Sequence, residues 1–175
     1  MEAHSFVENA ISELQRANHD SKHPFRYFCL GTSKKGLVDQ RTVVMRKFER
    51  YALSLFTDRR SPKVQQLKEE PFCHALFWHP RKKLQIRVIT EAKFENAEVD
   101  KSQLGQLKDY NTIQAPGEEI ENSQLYAIDF DSKNALEIKL MIKDLDVLLL
   151  DREQHLRAKA SIENDSLSKA VFVVP

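Results

Sequence analysis

Residues 41–87 constrain the fold more than any other part of the chain. Short β-type runs, turn signals and one helix start follow one another there at close spacing. The text reads Arg41-Thr-Val-Val-Met-Arg46, then Phe56-Thr-Asp-Arg-Arg-Ser-Pro-Lys63, then Leu84-Gln-Ile-Arg87. It predicts two strands, a turn into a helix, and two further strands. Charge is concentrated in the same place. The stretch holds 12 Lys and Arg against 4 Asp and Glu, while the other 128 residues hold 15 against 22. A net charge of +1 therefore conceals one basic zone, placed where an anion could sit.

At 175 residues the chain is expected to form one domain, residues 1–175, with a substantial core. Hydrophobic residues make up 41% and charged residues 30%, the balance of a globular protein. No apolar run approaches the roughly 20 residues that cross a bilayer, so no membrane partner is expected. Met1–Glu8 has neither the basic start nor the apolar stretch of a secretory signal. Cys29 and Cys73 lie among strand-type apolar residues and read as buried thiols in a reducing cytoplasm. They lack zinc spacing, and His74 and His79 lack a partner at metal or triad spacing. No metal site is expected, and no catalytic side chain is named.

Phe6, Val7, Ala10, Ile11 and Leu14 set a helical spacing over Phe6–Arg16, with Ser5 and Glu8 as its capping box. Strands are expected at Phe25–Leu30, Arg41–Phe48, Tyr51–Thr57, Phe72–Trp78 and Leu84–Phe94. The Phe72–Trp78 run is apolar enough to be covered on both sides. Gly31–Gly36 and Glu49-Arg50 provide turns. Ser61 caps a helix that Pro62 opens, with Val64 and Leu67 inward. Residues 95–123 are poorly patterned, with a short helix near Ser102–Leu107. Leu125–Phe130, Leu136–Met141, Val147–Leu150 and Ala170–Val174 are further strand candidates, and Asp151–Ala160 stays open between strand and helix. Many short strands and few helices predict a mainly β fold, a small barrel with peripheral helices.

Three pieces converge on an anion. Arg41 and Arg46 point to opposite faces of a flat strand, which makes Arg41 the phosphate candidate. Ser61-Pro62-Lys63 stands at a helix start, where unpaired N–H groups and the positive helix end favour an anion. Gln85 and Arg87 share one strand face, and an amide can both donate to and accept from a planar heterocycle. Plainer readings stand beside these. A lone strand Arg is usually solvated or ion-paired. Arg59-Arg60 and Arg81-Lys82-Lys83 read as exposed turn charges, and Phe77 and Trp78 as core or interface.

The ordered series resembles the pyridoxamine 5′-phosphate oxidase-like flavoproteins, most closely their oxidase-related FMN-binding branch. The resemblance rests on Arg41–Arg46, Leu55-Phe-Thr-Asp58, Ser61-Pro-Lys63, Pro71 with Phe77-Trp78, and Leu84-Gln-Ile-Arg-Val88, and is strong over residues 41–94. It implies an FMN-binding split β-barrel, FMN as cofactor, and a homodimer with the flavin between subunits. Arg41 and Lys63 would then grip the FMN phosphate beside Ser61. Thr42, Val43, Val44, Met45 and Arg46 would line the ring and ribityl chain, with Phe56 and Thr57 closing beside them. Gln85 would hydrogen-bond the ring, Asn111 and Thr112 would come from the second subunit, and Arg152 would match a further flavin-contacting arginine.

Departures from that family bear on the substrate. Leu148-Leu149-Leu150 stands where true pyridoxamine phosphate oxidases carry Arg-Leu-His. Phe94, Glu98 and Ser102 stand where they hold the substrate phosphate with Tyr, Arg and Ser. Glu in place of Arg turns attraction into repulsion, and one lost charge-assisted contact costs ~1.5–3 kcal/mol. The resemblance thus implies an FMN-dependent oxidoreductase of unknown small-molecule substrate, not a true pyridoxamine phosphate oxidase. The alternative is a flavin-binding or flavin-sequestering module with little turnover, its pocket closed by Leu148–Leu150. No nucleic-acid partner is expected, because the aromatics sit within apolar runs rather than interleaved with Arg and Lys.

Overall fold

The computed structural model describes residues 2–95, 112–121 and 134–175. Its elements are α1 (Ala3–Arg16), β1 (Tyr27–Lys34), β2 (Leu37–Val44), β3 (Lys47–Glu49), β4 (Ala52–Asp58), α2 (Pro62–Glu69), β5 (Phe72–His79), β6 (Leu84–Glu95), β7 (Ala135–Leu149), β8 (Leu156–Glu163), β9 (Ser166–Leu167) and β10 (Val171–Phe172). Tight turns fix the register of the hairpins. Lys35-Gly36, Arg50-Tyr51 and Asn164-Asp165 each place both central residues at positive φ, between 48° and 80°. That combination matches the twist of the strands it joins. Lys34 accordingly faces Leu37, and Glu49 faces Ala52.

The strands pair antiparallel along the path β10-β8-β7-β6-β5-β1-β2, with β4 on β7, β3 on β4 and β9 on β8. β7 organises the fold. One edge pairs with β6, while the other is shared: β4 takes Ala135–Met141 and β8 takes Asp144–Leu149. This division makes a mainly β split barrel whose sheet does not close. Between the two halves Thr90 faces Ile142 and Ile89 faces Asp144, so Lys143 bulges out. The extra residue reverses the alternation. Ile138, Leu140 and Ile142 point inward before it, and Leu145 and Val147 after it. The two strands expected at Leu136–Met141 and Val147–Leu150 are therefore one.

The core joins the inward strand faces to Phe6, Val7, Ala10, Ile11 and Leu14 of α1 and Val64 and Leu67 of α2. Phe77 lies at its centre, stacked on Phe28 at 4.9 Å and edge-on to Phe25 at 5.5 Å.

Several expectations are corrected. Ser5 lies inside α1, which starts at Ala3 with Glu2 at the N-cap and no side-chain cap hydrogen bond. β1 continues to Lys34, leaving only Lys35-Gly36 as the turn. β2 ends at Val44 and β3 begins at Lys47, so Arg41–Phe48 is not one strand. β5 is covered on one face only: Cys73, Ala75, Phe77 and His79 are buried, while Phe72, His74, Leu76 and Trp78 are exposed. Cys29 is half-buried on the outer face. Residues 151–155 are loop and Leu156–Glu163 is strand. The helix expected at Ser102–Leu107, the strand expected at Leu125–Phe130, and Glu98 lie outside the described residues.

Candidate functional site

Period two sorts the candidates of β2 onto two faces. Arg41 and Val43 pair with Leu30 and Phe28 and share their inner side; Thr42 and Val44 pair with Cys29 and Tyr27 on the outer side. Arg41 is thereby aimed at α2. Its Nη1 donates to Thr32 Oγ1 at 2.6 Å and to the Leu30 carbonyl at 3.3 Å. Its Nη2 donates to Gln66 Oε1 of α2 at 3.1 Å and to the Asp39 carboxylate.

α2 supplies the second cation. Pro62 opens the helix with Ser61 at the N-cap, as the sequence predicts, but the Ser61 hydroxyl turns to Thr57 Oγ1 at 3.2 Å instead of capping. Lys63 Nζ donates to the same Thr57 Oγ1 at 2.9 Å. Burial lowers the Lys63 pKa, and the Arg41 guanidinium lowers it further against the pull of Asp58 and Asp39. Arg41, Thr57, Ser61 and Lys63 thus come together where β2 and β4 meet the start of α2. Two cations close enough to repel each other, beside a helix N-terminus, suit a phosphate monoester.

Arg60 braces this corner. Asp58 is buried and accepts from Arg60 Nε at 3.0 Å, Nη2 at 2.7 Å and the backbone N–H at 2.8 Å. The same guanidinium donates to the carbonyls of Thr112 at 2.6 Å, Ile113 at 2.9 Å and Gln114 at 3.3 Å. Thr112 is therefore held beside α2 of its own chain, while Asn111 lies outside the described residues. The exposed-turn expectation fails for Arg60, which is half-buried, while Lys82 is an exposed turn residue whose Nζ also reaches Glu13 at 2.6 Å. Arg41, Lys47, Arg60, Lys82 and Arg87 all pair with carboxylates, so much of the basic excess is balanced inside the fold.

The outer face carries a second group. One rung runs Thr42, Cys29, Leu76, Arg87, Asp146, Lys159 across the sheet, and Gln85 faces Trp78 and Leu148 on the next. Asp146 accepts from Arg87 at 2.7 Å and from Arg157 at 2.8 and 3.0 Å. Burial raises its pKa, but these bonds outweigh that and lower it. β2 ends the strand path, so its edge adjoins both the Arg41 side and the Thr42 side.

The remaining candidates are spread out. The Met45 side chain is in the core and its backbone N–H donates to the Arg26 carbonyl at 2.8 Å. Arg46 lies with its guanidinium 5.8 Å from the buried Phe56 ring. Arg152 is exposed after β7, beside the Arg81–Lys83 turn, whereas β7 begins opposite Asp58. One chain does not bring Arg152 to Lys63.

Sequence reasoning missed a buried cluster. Glu13, His23 and His79 bring their ligand atoms within 4.8 Å of one another, so His79 does have partners. Each His Nδ1 accepts a backbone N–H, from Phe25 at 3.1 Å and Lys82 at 3.2 Å. That leaves the proton of a neutral ring on Nε2, and Glu13 is already held by Arg16, His23 and Lys82. The cluster reads as a network tying α1 to β5, not a metal centre. Asp39 and Gln66 were also missed, although Asp39 stands two residues before Arg41 and so on its face.

The model of the family described as pyridoxamine 5′-phosphate oxidase, FMN-binding domain, matches residues 6–95. None of the curated proteins matches the chain. Among solved structures, a pyridoxamine 5′-phosphate oxidase-related, FMN-binding protein from Nostoc punctiforme is similar, with TM-score 0.73 and 21% identity over 95% of this chain and 96% of that one. PhzG from Burkholderia lata, in complex with tetrahydrophenazine-1-carboxylic acid, has TM-score 0.70 and 12% identity over 99% and 93%. General Stress Protein 26 from Bacillus anthracis has TM-score 0.53 and 18% identity over 86% and 98%. At such identities these structures speak for the fold.

Proposed function

This chain belongs to the pyridoxamine 5′-phosphate oxidase FMN-binding domain family, and on that premise we propose that it is a single-domain cytoplasmic flavoprotein that holds FMN and oxidises or reduces a small molecule. The observation that carries the reading is Lys63 beside the Thr57 and Ser61 hydroxyls at the start of α2, with Arg41 held on Thr32 and Gln66 close enough to act on its charge. These residues hold the FMN phosphate. The β2 edge from Thr42 to Val44, with Met45, Arg46 and Phe56 beyond it, runs along the ribityl chain and ring, and Gln85 meets the ring from the outer face. Bound FMN supplies the redox chemistry; the chain binds, orients and sets the local field. Arg46 and Arg87 lie on the substrate side.

The same reading makes the protein a homodimer. Arg152, remote from Lys63 within one chain, reaches the flavin of the other subunit together with Asn111, whereas Thr112 stays with Arg60 of its own chain. The substrate is not pyridoxine phosphate, since Leu148 to Leu150 replace the basic and imidazole groups that would hold it. A second reading, a flavin-sequestering module, draws on Leu148 standing opposite Gln85 in register, where it narrows the approach to the ring.

The test is an absorption spectrum of the purified protein followed by titration with FMN. Bands near ~450 nm, or saturable binding lost in Arg41→Ala and Lys63→Ala, support the flavin role. No binding at tens of micromolar overturns it. Turnover with NAD(P)H or another donor separates oxidoreductase from module, and silence across a broad donor panel leaves the module.

A further inference from the structure

Arg41 has inner partners and an outer one. The Leu30 carbonyl, Thr32 Oγ1 and Gln66 Oε1 hold the guanidinium against β1 and α2. Gln66 is fixed in turn by Thr32 Oγ1 at 2.5 Å. These neutral acceptors set where Arg41 points. Asp39 is different: it takes Nη2 with a carboxylate from the solvent side, its side chain 53% exposed against 20% for Arg41. Asp39 is also within 3.4 Å of Gln66 Nε2, and its charge acts on Lys63. A carboxylate thus stands on the open side of the fork, where an incoming phosphate would have to arrive.

We infer that Asp39 is a built-in counterion of the anion site: it occupies Arg41 until a phosphate-bearing ligand displaces it, and so sets how tightly that ligand is held. The inference rests on the phosphate-binding reading of the site. Its physical content is a competition. With Asp39 in place Arg41 is already paired, and a phosphate monoester must break the Asp39–Arg41 pair and then tolerate the displaced carboxylate nearby. Removing the carboxylate charge abolishes both costs, while the neutral partners keep Arg41 in position. Asp39 touches the ligand only through this exchange, which makes it a positioning residue.

The test titrates the full chain calorimetrically with FMN, and with riboflavin as the probe that lacks the phosphate. Asp39→Asn, with Asp39→Ser as a second variant in case the first misfolds, should bind FMN about tenfold tighter, ~1.4 kcal/mol, with riboflavin unchanged. Adding Arg41→Gln should erase the gain. FMN binding by the variant alone, with none by the wild type, supports the inference most strongly. Unchanged or weaker FMN binding in both Asp39 variants, beside a wild type that binds, overturns the inference and leaves the flavin reading standing. Equal tightening toward riboflavin also overturns it. If no form binds FMN, the flavin reading fails and the inference with it.

Discussion

Arg60 grips the Asp58 carboxylate with a two-pronged fork, Nε to Oδ1 at 3.0 Å and Nη2 to Oδ2 at 2.7 Å, where Asp58 is only 2% exposed. Removing the guanidinium leaves a buried carboxylate with the Arg60 backbone N–H but without its hydrogen-bonded cation. Arg60→Ala should therefore cost about 3 kcal/mol of stability in urea unfolding. Arg60→Lys should recover only part of it, because an ammonium cannot span both oxygens. A loss below about 0.5 kcal/mol in Arg60→Ala would show that the fork does not stabilise the α2 corner.

Lys63 should give the proposed anion site a pH dependence. Burial, then Arg41, lower its pKa below the ordinary lysine value, so in the free protein its charge disappears earlier on the alkaline side. The charged form lies below the pKa. FMN affinity should begin to fall as pH rises through that lowered value, before an ordinary lysine would titrate. Lys63→Arg, charged throughout, should stay flat to about pH 10. Lys63→Ala should weaken FMN binding by about 10- to 100-fold at neutral pH, the worth of one charge-assisted contact. A wild-type profile as flat as that of Lys63→Arg would count against Lys63 as a phosphate ligand.

The parts of this architecture that were legible in the sequence are those with local causes. The helix over Phe6–Arg16, the Pro62 helix start, and the strands around Thr57 and Gln85 follow from periodicity and punctuation, and the order of motifs pointed to the family. What stayed hidden depends on partners distant in sequence. The Lys143 bulge makes one strand of two, and it shows only where Ile142 and Asp144 pair with Thr90 and Ile89 and leave Lys143 between them. Arg60 looked like a turn charge because its carbonyl partners at Thr112 to Gln114 come from a stretch without pattern. Phe72–Trp78 looked covered on both sides because Leu76 and Trp78 are apolar, yet they are exposed in one chain. Asp39 was visible as an acid on the Arg41 face, but only the fold shows it on the guanidinium.

Glu13 should dominate one part of the acid response. Burial pushes its pKa up, but bonds from Lys82, His23 and Arg16 outweigh that and lower it to about 2 from the ordinary 4.5. A carboxylate depressed on folding stabilises fully above its unfolded pKa and loses that contribution as pH falls through the folded one. The window is therefore pH 4.5 down to about 2, and the amount is about 3 kcal/mol at most, from 1.36 kcal/mol per unit. Urea unfolding of wild type against Glu13→Gln checks this. The stability gap should narrow steadily across the window, and a gap independent of pH would assign Glu13 a packing role only.

The exposed apolar residues of the outer face bear on assembly. Leu76 and Trp78 of β5 are 39% and 44% exposed, Ile89 of β6 is 37% exposed, and Tyr27 of β1 is 57% exposed. Trp78 faces Gln85, and Leu76 faces Cys29 and Arg87, so the apolar surface adjoins the residues assigned to the ring side of the flavin. Monomers rarely leave such surface in contact with water. In sedimentation velocity at micromolar concentration the protein should run as a dimer of its 20.3 kDa chain. Trp78→Asp places a charge on that face without touching the core, so it should retain the fold by circular dichroism and sediment as a monomer. It should also bind FMN at least tenfold more weakly, because contacts from the second subunit are lost. A wild-type monomer that binds FMN as tightly as the variant would separate the flavin site from the dimer and return Arg152 to a solvated loop.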